Sequence, residues 1–183
     1  MSVSIDSGRP TLQIKKLQTG DPKEFQKLYK FYFDDFVKEA SLLLKNGDDA
    51  PAIVSHSFIK CWLKCNALTS TTYFFAFLRT TINTHCYGTH QSNNYSSEQQ
   101  TILQDIICNT DCQGRSREEL YSDVATISKE GKTKAREIFT KLYVRHISVT
   151  EIARETGLSE ETIQEAVNLA YKILHLILSH QPM

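Results

Sequence analysis

Apolar positions recur at three- and four-residue steps through most of the chain, and the polar residues between them gather into short breaks. Gly20-Asp21-Pro22 opens the first such stretch: Asp21 suits a helix cap, and Pro22 suits the first helical position, where no amide is needed. Phe25, Leu28, Tyr29, Tyr32, Phe36, Ala40, Leu43 and Leu44 then share a face until Asn46-Gly47. An aromatic stripe of this kind reads as core. After Asp48 and Asp49 a second helix is expected, with Pro51 in its first turn and Val54, Phe58, Cys61, Trp62 and Cys65 on one side. The polar break Asn66 to Thr72 leads to a third, in which Phe74, Phe77, Leu78, Thr81, Ile82, His85 and Cys86 align and Gly88 lies near the end. Three helices with short connections predict a compact antiparallel bundle over 20–87.

Residues 1–19 are polar, contain Pro10 and show no clear period, so they read as a frayed arm. Residues 88–114 read as a linker: rich in Ser, Asn and Gln, without Lys or Arg, and made acidic by Glu98, Asp105 and Asp111. Ile102, Leu103, Ile106 and Ile107 form an apolar island within it, suited to sticking to a neighbour. A second helical region occupies 115–183. Leu120, Val124 and Ile127 mark one helix, Gly131 is read as breaking it, and Ala135, Ile138, Phe139, Leu142 and Tyr143 mark the next. The expected fold is all-α, two small helical domains joined by a flexible polar linker.

The C-terminal region carries the sharpest local signals. Ser148 stands three residues before Glu151, the spacing of a capping box, and predicts a helix from Val149. Gly157 supplies a left-handed ending, and Ser159 caps a further helix whose first turn holds Glu160 and Glu161. Ile163, Ala166, Val167, Ala170, Leu174, Ile177 and Leu178 give that helix one apolar face. Two helices joined by so short a turn form a helix-turn-helix, which can place its second helix in a DNA major groove. The same pattern also serves in helical hairpins that never meet DNA.

Composition narrows the alternatives. With 21 basic and 21 acidic side chains the formal charge is zero, an unfavourable balance for a protein that neutralises phosphates by itself. The first residues lack a basic-then-apolar signal, and no run of about 18 apolar residues occurs, so a cytoplasmic protein without membrane insertion is expected. The 5 cysteines, Cys61, Cys65, Cys86, Cys108 and Cys112, are odd in number and lack a CxxC, which argues against a disulfide framework. His85, Cys86, His90, Cys108 and Cys112 could be imagined around a metal, but Cys61, Cys65 and Cys86 fall where a helix buries them as small apolar groups. No nucleophile triad, phosphate loop or carboxylate pair stands out, so neither enzymatic activity, a small-molecule substrate nor a cofactor is expected.

Taken in order, the parts over residues 20–178 resemble a small sigma factor of bacterial RNA polymerase, of the extracytoplasmic-function type. The likeness rests on Gly20-Asp21, Phe25, Leu28-Tyr29, Tyr32, Val54, Phe58-Ile59-Lys60, Trp62 and Ala76-Phe77-Leu78 in the first region. In the second it rests on Arg136-Glu137-Ile138-Phe139, Glu151-Ile152-Ala153, Gly157-Leu158-Ser159, Thr162-Ile163 and Ala170. The resemblance implies a non-catalytic protein that binds core polymerase. Residues 20–87 would read and open the promoter minus-10 element, 115–183 would read the minus-35 element, and an anti-sigma partner would hold the protein in check.

Carried onto this chain, the likeness places polymerase contact at Ser55, His56 and Lys60, where the family has acidic and glutamine side chains. It places promoter opening at Arg79, Asn83 and Thr84, with Asn83-Thr84 and Gln91 standing where the family has an Arg-Asn pair and a closing basic residue. Phe74 or Tyr87 could stack on a base or lie in the core. Minus-35 reading falls to Ser159, Glu160, Glu161, Thr162, Gln164, Glu165 and Asn168, with Arg145 and Arg154 as phosphate anchors. The first positive charge of that helix is Lys172, so weak affinity for free DNA is expected. An alternative is a diverged sigma-like interaction module that binds polymerase or a regulator without opening promoters.

Overall fold

A computed structural model describes residues 10–45, 47–92, 97–109 and 112–179, without the side chains of 90–92, 97–100 and 107. The fold is all-α: no strand occurs among the described residues. Its helices are α1 (Ile14–Gln18), α2 (Pro22–Leu43), α3 (Ala50–Leu63), α4 (Thr71–Ser92), α5 (Ser97–Ile107), α6 (Arg117–Thr126), α7 (Lys129–Tyr143), α8 (Val149–Thr156) and α9 (Glu160–Leu178).

Local chemistry sets most of these boundaries. The Glu24 amide donates to Asp21 Oδ1 at 3.0 Å, and Pro22 follows the cap as the first residue of α2. The aromatic stripe of α2 meets α3 and α4 edge-on. Phe25 and Phe74 are 6.0 Å apart between ring centroids, and Tyr29 and Phe58 are 5.1 Å apart. Phe25, Phe58, Phe74 and Trp62 are fully buried, and each stabilises the fold by about 1.5–3 kcal/mol relative to exposure.

Three expectations are corrected here. The arm is packed over its described end: α1 buries Leu17 completely, and the Gln13 amide donates to the buried Glu24 carboxylate at 2.8 Å. Residues 1–9 lie outside the described residues. Gly131 does not break a helix. The break falls at Ile127-Ser128, and the Gly131 amide donates to Ser128 Oγ at 3.1 Å, so the glycine sits inside the capped first turn of α7.

The expected strap over 88–114 also differs, because α4 continues through Ser92 and α5 occupies Ser97–Ile107. Of its apolar island, Leu103 and Ile106 are buried against the chain itself, with α5 packed on α3 and α9 and the Ile106 carbonyl 3.3 Å from His175 Nδ1. The side chain of Ile107 lies outside the described ones.

One continuous apolar core runs through both halves of the chain instead of two separate cores. Its centre is the C-terminal part of α9, where Leu174, Leu176 and Ile177 are fully buried against α2, α5 and α7. Gln26 on α2 fastens the junction: its amide donates to the Leu176 carbonyl at 2.6 Å, and its oxygen accepts from the Tyr121 hydroxyl at 2.8 Å. A second tie is the buried Arg136 of α7, which donates to Asn66 Oδ1 at 2.8 Å and lies over the Trp62 ring. Gly20, in the left-handed region at φ 73°, passes so close that a Cβ there would stand 2.6 Å from the Arg136 guanidinium. No helix among the described residues is long and apolar enough to cross a membrane.

Candidate functional site

The corner between α8 and α9 is built from sequence-local parts. The Glu151 amide donates to Ser148 Oγ at 3.2 Å, Gly157 ends α8 at φ 69° and ψ 14°, and the Thr162 amide donates to Ser159 Oγ at 3.1 Å. Ile152 and Ile163 are fully buried beneath the corner. Glu160, Glu161, Gln164 and Glu165 are therefore turned outward and exposed.

This exposed edge is acidic, and most of its nearby cations are already paired. Arg154 donates to Glu151 at 3.3 Å, and Lys141 donates to Glu155 at 2.7 Å. The Lys141 contact holds the Glu155 carboxyl below its ordinary pKa. Glu160 accepts from the Thr150 hydroxyl at 2.9 Å, and Gln164 donates to Asn168 at 3.3 Å. Arg145 is exposed in the turn before α8. Thr162, Glu165 and Asn168 line a groove of about 540 Å³ between α9 and the α6–α7 junction, whose other wall includes Asp123 and Lys134. Lys172 closes one end of it, 3.5 Å from Asp123, which also accepts from Arg115 at 2.6 Å. The minus-35 candidates thus divide between an outward edge and an inward groove.

The promoter-opening candidates sit together on α4, apart from that corner. Arg79 faces Glu39 at 3.6 Å and lies over the Phe36 ring, Asn83 is half-buried, and the exposed Thr84 donates to the Thr80 carbonyl at 2.8 Å. Of the two rings considered for stacking, Phe74 is core and Tyr87 is exposed. The side chain of Gln91 lies outside the described ones.

The polymerase candidates on α3 are the largest departure from expectation. His56 is buried, which corrects its placement on a contact surface. Its ring packs 5.1 Å from that of His85. Burial first, then the neighbouring His85 and Lys60, push its pKa down to about 3; burial and Lys60 lower His85 to about 4. Ser55 is engaged with the Tyr29 hydroxyl at 2.9 Å and with the Pro51 carbonyl. Lys60 Nζ lies 2.8 Å from His85 Nε2, and burial followed by the nearby Lys64 lowers its pKa. Lys64, four residues on and so on the same side of the chain, shares the positive charge of this face. A signal for it exists in the sequence: from Ala50 to Ser97 there is no Asp or Glu at all.

Cys61, Cys65, Cys86 and Cys112 are buried free thiols, Cys108 is an exposed one, and no group of three or more metal-ligating side chains is found among the described residues. Burial raises the Cys65 and Cys86 thiols to about 11, a state that disfavours the reactive thiolate. No family model matches the chain, and neither the curated proteins nor the solved structures compared with it provide a match.

Proposed function

We propose that the chain acts as a sigma factor of the extracytoplasmic-function type, with α8, the Gly157 turn and α9 serving as a helix-turn-helix. In this reading residues 20–87 and 115–183 are the two promoter-reading domains, core RNA polymerase and promoter DNA are the partners, and an anti-sigma factor restrains the protein. The observation that supports it is the corner itself, where the first turns of α9 leave Glu160, Glu161 and Gln164 exposed. Gln and Asn can read adenine, and Glu can accept from cytosine. Polymerase would supply the phosphate contacts that the edge lacks, since log affinity falls with log salt by about 0.9 per phosphate neutralised and the exposed Arg145 alone gives little anchoring.

A second reading is a sigma-like interaction module that occupies polymerase or a regulator without opening promoters. Two observations favour it: the edge carries carboxylates where phosphates would lie, and Gln26 and Arg136 tie both halves into one core. The two separate on adding purified protein to core polymerase with a library of promoter DNA and scoring unpaired thymines by permanganate. Opening supports the sigma factor. Polymerase binding without opening selects the module, and no polymerase binding removes both.

A further inference from the structure

The cleft where α7 ends against α3 and α4 has a volume of about 300 Å³, at the lower bound of small-ligand pockets. Its apolar wall is Leu63, Phe77 and Val144, and its charged wall is Lys60 and Lys64. Neither lysine pairs with a carboxylate among the described residues, and none of the side chains lining the cleft is acidic. The remaining lining groups answer that charge only in part: Lys60 Nζ lies 2.8 Å from His85 Nε2 and Lys64 Nζ lies over the Phe77 ring, 5.6 Å from its centroid, and neither partner is an anion. Thr81, Thr84 and Thr140 each donate their hydroxyl hydrogen to a carbonyl one turn back in their own helix, and His85 is held by Lys60. Two ammonium groups on one rim of an otherwise apolar, hydroxyl-edged cleft leave one complement, a negatively charged head on an apolar body.

We propose that this cleft is a binding site for an amphipathic organic anion, its carboxylate or phosphate head held by Lys60 and Lys64 and its apolar body lying on Leu63, Phe77 and Val144. The walls come from α3 and α4 on one side and α7 on the other, so the bound anion clamps the two halves of the chain together. This inference does not depend on polymerase or promoter engagement, and the full chain alone tests it. Octanoate serves as the probe, with octan-1-ol as its uncharged counterpart and inorganic phosphate as a head without a body. Octanoate is expected to saturate shifts of the Thr80, Thr84 and Val144 amides in nuclear magnetic resonance spectra, at least tenfold more tightly than either control. The His85 ring, whose pKa burial and Lys60 otherwise lower to about 4, then titrates at higher pH because an anion lies beside it. The Lys60→Gln/Lys64→Gln variant weakens octanoate at least tenfold. Should it lose its helical circular dichroism, Val144→Glu, at an exposed position, is expected to weaken octanoate as much with the fold intact. Equal binding of octanol or phosphate, absence of localised saturation, or undiminished binding in a folded variant overturns the proposal.

Discussion

The α3–α4–α7 cleft and the outward edge of α9 bear opposite charge on a chain whose formal net charge is zero. In the cleft Lys60 and Lys64 stand without a carboxylate among the described residues, beside two imidazoles kept neutral by burial. At the edge Glu160, Glu161 and Glu165 face outward while Arg154 and Lys141 are held by Glu151 and Glu155. The contrast teaches that a balanced sum can hide segregated charge. At the proposed helix-turn-helix a phosphate would therefore meet carboxylates first, since the first positive charge of α9 is Lys172.

The largest expected effect sharpens the cleft side. Burial lowers the folded pKa of His56 to about 3 and that of His85 to about 4, below the ordinary 6.5. Above pH 6.5 both states are neutral and stability is at its full value. As pH falls the unfolded chain takes up protons that the folded chain refuses, and stability drops until the folded pKa values are reached, by up to about 1.4 kcal/mol per pH unit for each group. Urea midpoints should therefore decline from pH 6.5 to pH 4, and His56→Gln should flatten the slope; an unchanged slope in that variant breaks the comparison on this side.

The next effect addresses the edge. Replacing Glu160, Glu161 and Glu165 together by Lys should raise affinity for free duplex at least about tenfold at low salt and steepen its salt dependence, read by fluorescence anisotropy. Nanomolar binding by the unaltered chain at physiological salt would show that the acidic edge does not set the affinity. Gly157→Ala tests the corner that aims this edge. Nothing lies within 4 Å of the added Cβ, so the cost is that of a left-handed alanine alone, roughly 1–2 kcal/mol in denaturant unfolding. The smallest effect is Arg154→Ala, which breaks an exposed pair at 79% and 49% side-chain exposure and should change stability by less than about 0.5 kcal/mol.

Features settled within a few residues were legible in the sequence. Asp21, Ser148, Gly157 and Ser159 act through bonds to amides three residues away or through their own φ, and each lies at a helix end where its residue type placed it. Gly131 misled because a glycine weakens a helix interior but is tolerated in a first turn once Ser128 caps it. The polar composition of 88–114 concealed α5, whose place depends on what Leu103 and Ile106 find in α3 and α9, far away in the chain. His56 was misplaced for the same reason: its position on α3 reads as a surface one until α4 and its neighbours cover it. The candidate edge was legible in outline, since the 163/167/170 face is buried, while the groove that takes Thr162 and Asn168 required α6 and α7 in place.

The bond from Gln26 to the Leu176 carbonyl spans 150 positions of sequence, and it lies in the same core as Phe25 and Leu28. On the ribosome, then, Gln26 waits for the end of α9 before its amide finds that carbonyl, and the side of α2 that packs on α9 waits with it. Until synthesis passes Leu178, that side of α2 stays open to chaperones and to other nascent chains, while α3 and α4 already cover the aromatic stripe.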